Sequence, residues 1–116
     1  MIRMENKDMS QMDATRAAQL LEKWISVYDM DDAKAWEKDE FPFIKETSKA
    51  MKLSIQVLRG KSAVKGAPLQ AAAAQLLEYV DEYGMDSPSE WEAENIPFVK
   101  EVLEAVNFTV ALLKKK

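Results

Sequence analysis

The chain has no cysteine and no histidine, and only three glycines and four prolines among 116 residues. Each shortage removes chemistry. Without Cys there are no disulfides, thiolate metal sites or thiol nucleophiles. Without His there is no Ser-His-Asp triad, no imidazole ligand, and no side chain whose ordinary pKa lies near neutrality. Three glycines cannot build a glycine-rich phosphate loop. No apolar run approaches the roughly 20 residues of a membrane-spanning helix. The polar start, Met1 to Asp8, lacks the apolar stretch of a secretory signal. A cytoplasmic, non-enzymatic protein without metal or cofactor is the expectation. Met1, Met4, Met9 and Met12 crowd a loose lead-in, with Met4 an alternative start.

What is present is enough for a core and a solvated surface: 47% apolar residues and 31% charged. The length suits one domain over residues 1–116. Within it the sequence repeats. Ala17-Ala18-Gln19-Leu20-Leu21-Glu22 recurs as Ala73-Ala74-Gln75-Leu76-Leu77-Glu78, an offset of 56. From Tyr28 the offset becomes 55, pairing Tyr28/Tyr83, Met30/Met85, Trp36/Trp91, Pro42/Pro97, Phe43/Phe98 and Leu58/Leu113. One residue is therefore expected to be missing between Lys23 and Tyr28 or in the matching stretch. Two copies, near 13–59 and 68–114, are joined by a linker at 60–67 that contains Gly60 and Gly66.

Each copy reads as three helices, long, short and long. The first runs from Asp13 to Tyr28, and again from Pro68 to Tyr83 with Gly84 as its stop. Leu69, Ala73, Leu76, Leu77, Val80 and Tyr83 form its apolar stripe in the second copy. The short helix starts at Asp32 or at the capping box Ser87-Pro88-Ser89-Glu90 and carries Trp36 or Trp91 inward. The last follows Glu40 or Asn95, accepts Pro42 or Pro97 in its first turn, and ends near Leu58 or Leu113. No strand pattern occurs. The expected fold is all-α: a compact bundle of two tandem three-helix repeats about a pseudo-twofold axis.

Chemical motifs fail on inspection. Asp29 to Glu40 imitates a calcium loop, but Ala33 and Lys34 occupy its fifth and sixth positions. A di-iron site needs Glu-x-x-His pairs, and His is absent. Glu37 and Glu92 are matched carboxylates, yet they sit in charged surroundings where nothing raises a general acid's pKa. The repeated Trp36, Trp91, Phe43 and Phe98 are read as core in each half rather than as a binding surface.

Charge is the informative feature. Residues 1–66 carry 12 basic and 11 acidic groups, whereas 67–116 carry four and nine. No Lys or Arg occurs between Lys65 and Lys100, a stretch that holds Glu78, Asp81, Glu82, Asp86, Glu90, Glu92 and Glu94. These seven are the candidate contact residues for a protein partner with a basic surface. The same field repels nucleic acid, and no membrane contact is expected. By analogy of size and charge, small acidic inhibitors carried by phages or mobile elements against host defence complexes are the expected class. The alternatives are an assembly protein that homodimerises through its last helix, or a helical bundle that binds a small ligand.

Overall fold

The computed structural model describes residues 12–116. They form four α-helices, with no strand among them: α1 (Ala14–Val27), α2 (Phe41–Leu58), α3 (Ala67–Tyr83) and α4 (Ile96–Lys115). The lead-in over residues 1–11 and the alternative start at Met4 lie outside the described residues. Met12 packs against the core.

Local chemistry explains the helix ends. The Asp13 carboxylate accepts the Arg16 N–H at 2.8 Å and caps α1. Pro42 and Pro97 sit in the first turns of α2 and α4, where a missing N–H costs nothing. α1 and α3 both stop in a Schellman arrangement. Met30 N–H reaches back to Ile25 O at 3.0 Å, and Met85 N–H to Val80 O at 3.1 Å. The left-handed residue this turn needs is Gly84 in one case (φ 66°) and Asp29 in the other (φ 49°). Met30 and Met85 are then fully buried beneath the ends of their helices.

The middle elements differ from expectation. Each is a three-residue 3-10 turn, Ala33–Ala35 and Pro88–Glu90, rather than a short α-helix. The reason is a tie back to the preceding helix. The Trp36 indole N–H donates to Asp29 O at 3.0 Å, and the Trp91 indole to Gly84 O at 2.9 Å. A longer helix would carry each indole away from the carbonyl that holds it.

α1 and α3 each lie against both α2 and α4, and the buried side chains of all four helices form one cluster. α1 and α3 meet through side chains: the buried Trp24 indole donates to the Tyr79 hydroxyl at 2.9 Å. Three of the four buried Ser and Thr hydroxyls are satisfied within their helices, Thr47 through Phe43 O. Ser54 and Thr109 both donate at 2.7 Å, to Ala50 O and Ala105 O.

These bonds and the burial pattern correct the expected register. Ala17, Ala18, Leu21, Trp24 and Ile25 are buried in α1, and Ala72, Ala73, Leu76, Tyr79 and Val80 in α3. These buried positions match at an offset of 55 rather than 56. The identical hexapeptides are one position out of structural step. Leu77, expected in the apolar stripe, is 39% exposed, and Tyr79 takes the inward place instead.

Candidate functional site

Each 3-10 turn places its tryptophan against the C-terminal end of a helix from the other half of the chain. Trp36 meets Tyr83 edge-on with ring centroids 6.1 Å apart, and Trp91 meets Tyr28 at 6.3 Å. The Tyr83 hydroxyl donates to Glu40 at 3.1 Å. Behind them Trp24, Tyr79, Phe43 and Phe98 extend the same aromatic cluster into the core. Trp36, Trp91, Phe43 and Phe98 are half-buried and pack against that core. Burial pushes the Tyr79 phenol well above its ordinary value. Burial, helped by the Glu40 carboxylate, pushes Tyr83 up to about 12.

This aromatic platform carries an acidic rim. Residues 28–40 and 84–95 together hold ten acids and two lysines, Lys34 and Lys38. All seven carboxylates singled out in the sequence are exposed. Glu78, Asp81 and Glu82 lie on the last turns of α3. Asp86 follows the Schellman turn, and Glu90 closes the 3-10 turn. Glu90 folds back over the end of α3: a Cβ at Gly84 would stand 3.5 Å from its Oε1. Glu92 and Glu94 belong to the turn leading into α4, where Asn95 N–H bonds to Glu92 O at 2.8 Å. Among the described residues none of the seven is in an ion pair.

The first corner is built differently, around a cleft of about 500 Å³ between α1 and α2. Ile25 and Ile55 line it, and Glu22, Asp29, Asp31 and Asp32 bring carboxylates to it. Two of these are neutralised by cations from α2 and its C-cap residue, Arg59. Arg59 grips both oxygens of Glu22, at 2.8 and 2.9 Å, and its hydrogen bonds hold that carboxyl below the usual range. Asp31 accepts from the Ser48 hydroxyl at 2.7 Å and pairs with Lys52 at 2.9 Å. The Ser48 bond, then Lys52, holds its carboxyl low. The calcium-loop pattern takes in Asp29 and Asp31, with Asp32 expected as a helix cap, and nothing in it points to Glu22 or Lys52. A signal was present: at the 55-residue offset, Glu22, Asp29 and Lys52 face Leu77, Gly84 and Asn107.

Among the described residues no three acidic side chains converge in a geometry that could hold a metal ion. No helix among them is long and apolar enough to cross a membrane. No protein-family model, curated protein or solved structure matches the chain.

Proposed function

We propose that the chain is a non-enzymatic protein-interaction module whose second corner, Glu78 to Glu94, binds a basic surface on a partner protein. One observation carries this reading: seven exposed carboxylates and no base occupy that corner, while the matching stretch 23–39 mixes Lys23, Lys34 and Lys38 among its acids. Three of the seven crowd the C-terminal turns of α3. The helix macrodipole disfavours negative charge there by about 0.3–1 kcal/mol each. Solubility alone does not call for charge where the helix tolerates it least. A field of this sign repels nucleic acid and draws in cationic protein surfaces at rates that fall with salt.

The fitting partner is a cytoplasmic protein whose basic surface ordinarily holds nucleic acid. Inhibition of a host defence complex by a phage or mobile element is the setting this reading favours. The architecture belongs to the same proposal. Two tandem units, from duplication of one ancestor, are related by a pseudo-twofold axis close to the Trp24–Tyr79 bond. Support comes from bonds matched at the 55-residue offset: Trp36/Trp91, Met30/Met85 and Ser54/Thr109. A homodimer through α4 has less support, because Val102, Val106, Val110 and Leu113 are buried within the chain.

The test is affinity capture with the intact chain, followed by titration of the recovered protein at two salt concentrations. Glu90→Lys with Glu92→Lys should weaken binding of a basic, nucleic-acid-binding partner at least tenfold. Glu37→Lys with Asp39→Lys, a double reversal of exposed acids in the first corner, should leave binding within twofold. Binding that ignores the first pair of reversals, or that is insensitive to salt, overturns the acidic-corner reading.

A further inference from the structure

The cleft beside α1 combines features that the acidic corner lacks. It is concave, with a volume of about 500 Å³, in the range of small-ligand sites. Ile25 and Ile55 give it an apolar lining, and both are themselves nearly buried. Its charge is only half neutralised. Arg59 and Lys52 occupy Glu22 and Asp31. Asp29 and Asp32 have no cationic partner among the described residues. Asp32 spends one oxygen on the Lys34 N–H, at 3.0 Å.

We infer that this cleft receives an arginine side chain from the partner protein, with the aliphatic stem on Ile25 and Ile55 and the guanidinium against Asp29 and Asp32. The inference rests on the reading that the partner is basic, and it names a second contact, in the first corner. Charge complementarity selects a cation: among the described residues, Asp29 and Asp32 are left over once the internal pairs are made. The apolar lining selects a cation on a hydrocarbon stem over a bare ion. A divalent metal is disfavoured, since among the described residues no three acids converge on a point. Arginine suits two separate carboxylates better than lysine, because its planar head offers five donors in a fixed fork.

The fold alone does not explain the lining. At the 55-residue offset the corresponding positions of the second half are Leu77 for Glu22, Gly84 for Asp29, Asn107 for Lys52 and Ala111 for Gln56. Gly84 is the residue the Schellman turn favours at a positive φ, so Asp29 is not there for the backbone.

The test is an NMR titration of the intact ¹⁵N-labelled chain with N-acetyl-arginine methylamide. The lysine and norleucine analogues are run as parallel arms. The expected result is saturable shifts confined to amides of residues 22–32 and 52–56, tighter for the arginine compound than for lysine and absent for norleucine. Asp29→Asn with Asp32→Asn should weaken binding at least fivefold. Asn tolerates the left-handed backbone and still caps the 3-10 turn, so this variant keeps its fold. Glu90→Lys with Glu92→Lys should leave the titration unchanged, which separates failure of the cleft from failure of the acidic corner. Equal binding of lysine, binding of norleucine, shifts centred on residues 78–94, or full affinity in the Asn variant would each overturn the inference.

Discussion

Residues 22–40 and 77–95 close the same backbone bonds and carry different chemistry. In both, a helix ends in a left-handed residue, a methionine dives under the helix end, and a tryptophan indole returns to hold the left-handed residue's carbonyl. In the first corner the surrounding carboxylates are gathered around a cleft and half of them are neutralised from α2 and its C-cap. In the second they stand in solvent along a helix end and a turn. The shared frame therefore needs only a few positions: a residue that tolerates positive φ, a buried Met and a tethered Trp. Outside that frame the two corners part in charge, as at Lys34 against Ser89 and Lys38 against Ala93.

That comparison can be broken at the shared positions first. Met30→Ala and Met85→Ala each empty a fully buried site, and each should cost about 2–5 kcal/mol in urea unfolding. The two losses should agree within about 1 kcal/mol. A near-neutral result for one of them would show that the corners are not built alike.

A smaller effect sharpens the difference at the left-handed residue. Gly84→Ala should cost about 1 kcal/mol for its positive φ alone, since the new Cβ meets only ordinary contact distances. Asp29→Gly should cost nothing measurable by the same thermal or urea assay, because it relieves the same backbone conformation. A loss there would mean that the Asp29 side chain stabilises the fold, against its role as an unsatisfied carboxylate on the cleft.

The smallest effect concerns acid. Ser48 and Lys52 hold the Asp31 carboxyl low in the folded chain. Stability from this group is therefore present above the unfolded value of about 3.9 and is lost as pH falls through the lower folded value. Asp31→Asn should flatten the acid limb of the stability curve below about pH 4, by less than about 1 kcal/mol given the exposure of the pair. Ser48→Ala should flatten it in the same direction. An acid limb that is unchanged in both would remove this network from the account.

Much of the fold was legible because helix ends are written locally. Asp13, Pro42, Pro97 and Gly84 announce starts and stops with side chains or backbone that act within one turn. The 3-10 turns were harder to read. Ser-Pro-Ser-Glu starts an α-helix or a single tight turn equally well, and the deciding bond comes from an indole seven residues from its acceptor. The register was misread because identity between two hexapeptides outweighed burial. The burial pattern matches at 55 instead, and the buried bond from Trp24 to Tyr79 joins residues that far apart, which no local pattern displays. The acidic corner was visible as a run of letters without Lys or Arg. The cleft was not, since Lys52 and Arg59 reach it from another helix and its cap.

The most direct measurement exchanges the charge of one corner for that of the other. Glu78→Lys, Glu90→Ala and Ala93→Lys give the second corner the residues found at Lys23, Ala35 and Lys38, all at exposed positions. Calorimetric titration of this variant against the captured basic partner should show binding weakened at least tenfold, with a thermal midpoint within a few degrees of the parent chain. Undiminished affinity in a variant that still folds would contradict the claim that the frame is common to both corners and the main acidic contact belongs to the second.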